Sequence, residues 1–175
     1  MKRIRIRAFF GIFVIGIILS SILIGVSLYK SKSEIKREIG YRINLPQVEQ
    51  YRPLIETYAK QYEVEDEIDT LLAIMMQESG GRGDDPMQSS ESLCGEVGCI
   101  KDPEQSIEQG VRYFKKTLEA AEGDLKLAIQ SYNFGVGFIP YVLERGGKYT
   151  EELAIQFSQE MYAKAEEPSI YSCKR

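Results

Sequence analysis

The 175-residue chain contains no histidine and only three cysteines, and these absences exclude several kinds of active site. Without histidine there is no Ser-His-Asp or Cys-His site and no histidine-ligated metal, and three scattered cysteines cannot form a four-thiolate zinc site. The segment Gly135-Val136-Gly137 lacks the preceding strand and the third glycine of a dinucleotide-binding loop, so it indicates a helix break. The sequence therefore predicts no metal and no cofactor, and it leaves carboxylate chemistry.

Basic residues are scarce in most of the chain. Of 22 Lys and Arg and 26 Asp and Glu residues, eight basic and two acidic ones lie in residues 1–40, so residues 41–175 hold 14 and 24, a net charge of about −10. No basic stripe interleaved with aromatic residues offsets this charge, and phosphate backbones would repel it. The sequence therefore predicts that nucleic acid is not a partner.

Charge is absent altogether from residues 8–29, AFFGIFVIGIILSSILIGVSLY. A run of this length is typical of a helix that crosses a membrane, so we predict a single-pass, uncleaved anchor in the cell membrane. A cleaved signal peptide is the alternative, because Gly25-Val26-Ser27 offers a small-x-small site, but the run is longer than the usual apolar core of a signal peptide. The basic cluster MKRIRIR, residues 1–7, favours a cytoplasmic N-terminus and a body on the outer face, towards the cell wall.

The rest of the chain is predicted to be one all-α domain at residues 47–165, between a charged spacer at 30–46 and a tail at 166–175. Apolar residues follow helical spacing throughout the domain and no clear period-2 run is present. Helix starts are indicated by Asp102 before Pro103, by Asp124 and by Thr150. Cys94 and Cys99 bracket a short loop and are compatible with either a disulfide or two free thiols.

Glu78 ends a predicted helix, residues 66–79, whose apolar residues cover so much of its circumference that the helix must be largely buried. A poorly solvating environment and the negative end of the helix dipole both disfavour the ionised carboxylate. A carboxyl group that stays protonated near neutral pH is what a general acid needs to protonate a leaving glycosidic oxygen. From position alone, a solvated acid at a helix end is an equally good interpretation.

The loop QESGGRGDDPMQSSES around and after Glu78 adds further polar groups. Asp85 is a candidate second carboxylate, acting as a base or as an electrostatic stabiliser, and the alternative is a turn-forming acid. Gln88 and Ser90 carry amide and hydroxyl groups that suit a ligand rich in hydroxyl and acetamido groups. Tyr132 and Asn133 end another helix, where packing and capping would also explain them.

Three blocks in order along the chain resemble a known superfamily. Glu78-Ser79, Pro86-Met87-Gln88 and Ser131-Tyr132-Asn133-Phe134-Gly135 are similar to motifs of goose-type lysozymes and soluble lytic transglycosylases. More closely, MMQESGGRGDDPMQSSES, DPEQSIEQGVRYF and QSYNFGVGFIPYVLERGGKYTEELA resemble the CwlT-like lysozyme domain of Gram-positive cell-wall hydrolases. The match spans about Ile68 to Phe157 and implies a lysozyme-like helical domain.

The resemblance implies a muramidase that acts on peptidoglycan glycan strands. Glu78 would protonate the bond between N-acetylmuramic acid and N-acetylglucosamine, with hydrolysis slightly favoured over the transglycosylase reaction that forms an anhydro ring. Local wall remodelling linked to a conjugation or secretion apparatus is part of the same expectation, because such domains are often carried on conjugative elements. A non-catalytic protein that binds the wall through the same groove is the alternative from a different class.

The resemblance also assigns roles to the residues of its blocks. Gln88, Tyr132 and Asn133 would line the sugar groove, with the Tyr132 hydroxyl near the Glu78 carboxyl, and Ser79 and Ser90 are predicted as further substrate contacts. Asp85 is predicted as a second catalytic carboxylate, on a weaker carry-over than that of Glu78.

Overall fold

The computed structural model describes residue 30 and residues 44–164. The chain divides into two units between Asn44 and Leu45, and helices α1 to α7, defined below, belong to the second unit. In the described part every regular element is helical and none is a strand, which confirms the prediction of an all-α domain there. The predicted span at residues 8–29 lies outside this part, and no helix within it combines the length and apolar character of a membrane span.

Seven α-helices follow a short helical segment at residues 44–49 in the described part. They are α1 (Arg52–Gln61), α2 (Ile68–Glu78), α3 (Ser90–Cys94), α4 (Pro103–Ala120), α5 (Leu125–Phe134), α6 (Phe138–Leu143) and α7 (Glu151–Lys164). A 3-10 turn, Glu65–Glu67, leads into α2.

The three predicted helix starts are capped by the side chains that indicated them. Asp102 accepts hydrogen bonds from two backbone N–H groups in the first turn of α4. Asp124 accepts from the Leu127 N–H at 3.1 Å, and the Thr150 hydroxyl oxygen accepts from a first-turn N–H of α7 at 3.2 Å. Each cap satisfies donors that the helix itself leaves unpaired, at a benefit of about 1 kcal/mol.

Helix α4 forms the centre of the domain and packs against α1, α3 and α5. Its apolar side chains face inward, since Ile107, Val111 and Phe114 have no exposed surface. Burial of each such side chain contributes about 1.5–3 kcal/mol, so α4 is the element against which the site-bearing helices are held.

Helix α2 carries a buried apolar side and ends in a polar turn at the position of Glu78. Its buried residues are Leu71, Leu72, Ile74 and Met75. Gly80 then takes φ +66°, and its N–H lies 3.0 Å and 3.1 Å from the carbonyl oxygens of Met75 and Met76. A glycine accepts this left-handed conformation readily, which explains why α2 stops there, as predicted.

Helix α3 was not predicted, because Ser90, Glu91 and Ser92 show no apolar periodicity. The helix instead begins where the carboxylate of Asp85 accepts the N–H groups of Ser89 and Ser90, so a contact from outside the helix supplies its start. Cys94 at its end is joined to Cys99 by a disulfide, so of the two alternatives the paired one is present. Cys173 lies outside the described residues.

Candidate active site

A cleft of about 600 Å³ opens between α2 and α5, beside the end of α2. Positions 70, 73, 74, 77 and 78 share one face of α2, as the helical repeat requires, and the facing wall comes from the last two turns of α5. Besides the site residues treated below, the lining includes three polar side chains and three apolar ones. These are Thr70, Gln77 and Gln130, and Ala73, Ile74 and Ile129.

Glu78 lies at the end of this cleft and is half-buried. Burial raises the pKa of its carboxyl group, a hydrogen bond from the Asn133 side chain lowers it, and the charge of Asp85 raises it again. The net result is a raised pKa, which agrees with the direction expected from the position of Glu78 on α2. The carboxyl group can therefore hold a proton at a pH where an exposed glutamate would have lost it.

Tyr132 forms part of the cleft wall and is only 7% exposed. Its hydroxyl donates to the Met87 carbonyl at 2.9 Å, and its ring packs edge-to-face on Tyr113 with 5.3 Å between centroids. Burial, followed by the charges of Glu78 and Asp85, raises its pKa well above the ordinary value. The Tyr132 hydroxyl, which was predicted to lie near Glu78, therefore stays protonated and donates to the Met87 carbonyl. The Glu78 charge contributes to its raised pKa.

A glycine in α4 permits this arrangement. A Cβ atom at Gly110 would lie 2.7 Å from the Cβ of Met87 and 2.9 Å from the Tyr132 hydroxyl oxygen. Both distances are shorter than normal contacts, so only glycine lets α4 approach the loop and α5 this closely. Close packing therefore explains the glycine at position 110 in the DPEQSIEQGVRYF block.

Asp85 faces the loop network formed by Ser89, Ser90 and Ser106. One carboxylate oxygen accepts from the Ser106 hydroxyl at 2.6 Å and the Ser89 N–H at 2.9 Å, and the other accepts from the Ser90 hydroxyl at 2.6 Å and the Ser90 N–H at 3.0 Å. Burial works against ionisation, but the hydrogen bonds from Ser106, Ser90 and Ser89 outweigh it and hold the pKa of Asp85 below its ordinary value. Asp85 is therefore an ionised acceptor inside the loop.

Ser79 also serves the loop that follows α2. Its hydroxyl donates to the Pro86 carbonyl at 2.7 Å and accepts the N–H groups of Gly81 and Arg82 at 3.0 Å and 3.1 Å. One side chain thus closes the turn from Glu78 to Pro86. Ser79 is not one of the cleft-lining residues, and its hydrogen bonds hold the geometry of the turn.

Ser90 and Gln88, the other two predicted substrate contacts, lie in the same loop. Ser90 is 2% exposed and bonds to Asp85, and its hydroxyl oxygen accepts the Ile100 N–H at 3.1 Å. Gln88 is exposed, has φ +48°, and its side-chain amide donates to the Asp85 carbonyl at 2.8 Å. Of the predicted site residues, Glu78, Tyr132 and Asn133 line the cleft, whereas Ser79, Asp85, Gln88 and Ser90 organise the loop.

Sequence reasoning missed Thr70, Gln77, Gln130 and the 38%-exposed Ile129, which all line the cleft. A signal was present, since Thr70 and Gln77 are polar residues seven positions apart on α2, and the six residues between them are all apolar. The polar residues of the loop after α2 are far denser, so the pattern favoured the loop over the helical face that leads to Glu78.

Comparisons with known proteins identify the family of this chain. A family model described as lysozyme-like matches residues 45–173. In Bacillus subtilis (strain 168), the bifunctional muramidase/DL-endopeptidase CwlT is 52% identical over 114 residues, which are 65% of this chain and 35% of that protein. The uncharacterized membrane protein YocA of the same organism is 42% identical over 134 residues, 75% of this chain and 59% of that protein.

A solved structure shares the fold. The crystal structure of a protein described as similar to lipoprotein, NLP/P60 family, from Staphylococcus aureus superposes with a TM-score of 0.65 and 50% sequence identity, covering 67% of this chain and 41% of that chain. Because the chain spans 35% and 59% of the two Bacillus relatives, it corresponds to only part of each.

Proposed function

Because this chain belongs to the lysozyme-like family, and its motif blocks are those of a CwlT-like lysozyme domain, we propose that it is a glycosidase that cleaves peptidoglycan glycan strands. The observation that carries the proposal is the environment of Glu78, a half-buried carboxyl group with a raised pKa at the end of an open cleft. A relative that is 52% identical is named a muramidase, which supports the same reaction.

Glu78 is the general acid in this proposal. Its protonated carboxyl donates to the oxygen that links N-acetylmuramic acid to N-acetylglucosamine, and that oxygen must gain a proton to leave as a hydroxyl. The hydrogen bond from Asn133 lowers the pKa of this carboxyl group, but burial outweighs it and the pKa stays raised. Burial keeps the group protonated before the reaction, and this is the condition that a general acid must meet near neutral pH.

The cleft walls suit an amino-sugar polymer. Ala73, Ile74 and Ile129 offer apolar surface, and Gln77 and Gln130 offer amides that can donate to and accept from hydroxyl and acetamido groups. From Glu78 to Asp69, nine residues earlier on α2, the lining extends about 13 Å along the helix axis. This is long enough to hold more of a glycan than the bond that Glu78 attacks.

Hydrolysis is the first candidate outcome, with Asp85 as the predicted second carboxylate. A lytic transglycosylase, in which the substrate's own hydroxyl closes an anhydro ring, is the second candidate. Two observations support the second. The oxygens of Asp85 already accept hydrogen bonds from Ser90 and Ser106. Asp69, also in the cleft lining, lies about 13 Å from Glu78 along α2, beyond the roughly 5–9.5 Å between paired glycosidase carboxylates.

The proposed location is the cell membrane, with the catalytic domain on the outer face. The uncharged run at residues 8–29 supports an anchor, as does the name of the relative YocA, a membrane protein. There the enzyme would open the wall locally, and a conjugation or secretion apparatus that must cross the wall is the proposed partner.

The test uses the full chain, purified in a mild detergent, on isolated peptidoglycan. Wild type is expected to release disaccharide-containing fragments, and Glu78→Gln to release at least about 100-fold fewer while remaining folded. Full activity in Glu78→Gln would contradict the assignment of the acid. The masses of the fragments separate the two outcomes, because anhydro products are lighter by one water. Binding to the wall without any release by wild type would favour the non-catalytic alternative.

A further inference from the structure

We propose that Asp85 is a positioning residue, whose carboxylate clamps the loop after α2 onto α4 and thereby holds the wall of the active site beside Glu78. This inference rests on the proposed glycosidase function and deepens it, because it gives the second acid of the site a role other than activating water.

Donors within the protein use the hydrogen-bond acceptor capacity of the Asp85 carboxylate. An ionised carboxylate has about four lone-pair directions. Four short hydrogen bonds from Ser89, Ser90 and Ser106 occupy them, and the Ser89 hydroxyl makes a fifth, longer contact at 3.4 Å. A general base must instead direct a free lone pair at a water molecule next to the sugar.

Hydrogen bonds connect this clamp to the cleft wall. The Ser106 hydroxyl donates to Asp85 and accepts the Met87 N–H at 3.0 Å, and the Met87 carbonyl in turn accepts the Tyr132 hydroxyl at 2.9 Å. Tyr132 precedes Asn133, whose side chain bonds to Glu78. Hydrogen bonds therefore join the Asp85 carboxylate to Tyr132 of the cleft wall, the residue next to Asn133 in the chain.

Only a carboxylate can accept from all the donors that Ser89, Ser90 and Ser106 direct at position 85. On each oxygen of Asp85 a hydroxyl and a backbone N–H converge, and none of the backbone donors can reverse its direction. An asparagine would turn an N–H₂ group towards one hydroxyl and one N–H and leave that backbone donor unpaired. Ionised acceptors also make hydrogen bonds about twice as strong as neutral ones, which suits a loop held at a single point.

The test compares two ways of breaking the clamp in the full chain in detergent. Asp85→Asn removes the charge, whereas the double variant Ser90→Ala, Ser106→Ala keeps the carboxylate and removes both hydroxyl donors. Asp84→Asn is the matched control, since Asp84 is the exposed neighbour of Asp85 and takes the same substitution. If Asp85 positions the wall, both clamp variants lose about 10–100-fold in kcat/KM, and the control stays within about twofold of wild type.

Small anions separate positioning from base catalysis. Azide or formate can take the place of a missing catalytic carboxylate, so rescue of Asp85→Asn by either anion, together with full activity in the double serine variant, would overturn the proposal. Absence of rescue in Asp85→Asn, with a comparable loss in the double variant, supports it. Asp85→Glu is expected to recover part of the activity, because it keeps the charge and shifts the oxygens by one methylene.

A readout that does not need activity separates this inference from the proposed function. Amide hydrogen exchange at Met87, Ser89 and Ser90 should be about tenfold faster in Asp85→Asn than in wild type or Asp84→Asn. Unchanged exchange in Asp85→Asn would overturn the clamp even if the enzyme is active. If wild type released no wall fragments, the proposed function would fail, and faster exchange would still show that Asp85 holds the loop.

Discussion

Glu78 and Asp85 lie seven residues apart, and their surroundings shift the pKa of a carboxyl group in opposite directions. Glu78, at the cleft between α2 and α5, has a raised pKa because burial outweighs its bond from Asn133. Asp85, in the loop, has a lowered pKa because several hydrogen bonds outweigh its burial. The cleft thus favours a proton that can be donated, and the loop favours a permanent charge that can hold structure. Two titratable groups with pKa values pushed apart are a common arrangement in acid-base sites.

The largest expected effect is on the alkaline side of the activity profile. Because Glu78 must be protonated, kcat/KM should fall about tenfold for each pH unit above its pKa. The charge of Asp85 raises that pKa and the bond from Asn133 lowers it, so Asp85→Asn should move the alkaline limb to lower pH and Asn133→Ala should move it to higher pH. The measurement is kcat/KM for peptidoglycan from pH 4 to 9, and equal shifts in one direction would contradict the comparison.

The junction of the two regions can be broken at Gly110, where α4 touches both Met87 and Tyr132. Gly110→Ala should destabilise the domain near the upper end of about 1–3 kcal/mol, because the new methyl group has no room. Gly137→Ala is the matched control, since a Cβ there meets nothing within 4 Å and the glycine has no positive φ. Denaturant unfolding of the full chain in detergent gives the free energy of unfolding of both variants. Equal values would show that α4 can shift away from Met87 and Tyr132 without loss of stability.

A pair of serines, one in each region, sharpens the contrast. Ser106 and Ser131 are both fully buried, but the Ser106 hydroxyl makes two hydrogen bonds and the Ser131 hydroxyl makes none among the described residues. Ser106→Ala leaves the Met87 N–H without a partner and removes one of the four short hydrogen bonds of Asp85, so it should cost about 1–3 kcal/mol. Ser131→Ala removes a buried hydroxyl that pairs with nothing, so stability should stay within about 0.5 kcal/mol or rise. The same unfolding measurement serves, and a larger loss for Ser131→Ala would reverse the assignment.

The smallest expected effect is on the pH dependence of stability. Asp85, with its lowered pKa, stabilises the fold above the unfolded-state pKa of about 3.9, and this contribution is lost as the pH falls through the folded-state value. Glu78, with its raised pKa, acts oppositely: stability falls as the pH rises from about 4.3 through the folded-state value, since the unfolded chain releases that proton first.

Two variants separate these contributions. Asp85→Asn should flatten the acid side of the stability curve, and Glu78→Gln should flatten the side above about pH 4.3. Unfolding midpoints between pH 2.5 and 7.5 provide the measurement. Identical curves for the two variants would mean that the two regions do not shift the pKa of their carboxyl groups in opposite directions.

The residues that the sequence predicted as one active site divide into two groups in the structure. Glu78, Tyr132 and Asn133 line the cleft, and their grouping was predicted from the resemblance between motif blocks. Asp85 and Ser90 were also predicted to serve the substrate, but their hydrogen bonds run within the loop and to Ser106 of α4. A side chain's partners depend on distant residues, and a loop without periodicity carries no local signal of where each side chain points.

By itself, the sequence determined the helical character of the described part, the caps at Asp102 and Asp124, the break after Glu78 and the family. These follow from local rules, because helical periodicity, capping and left-handed glycines act within a few residues. Only the tertiary structure decided that Thr70 and Gln77 face Gln130 across a cleft, that Gly110 must be glycine, and that Asp85 bonds to Ser106, 21 residues away. Burial and hydrogen bonding between such distant residues set the opposite pKa shifts of the two acids, and these exist only once the chain has folded.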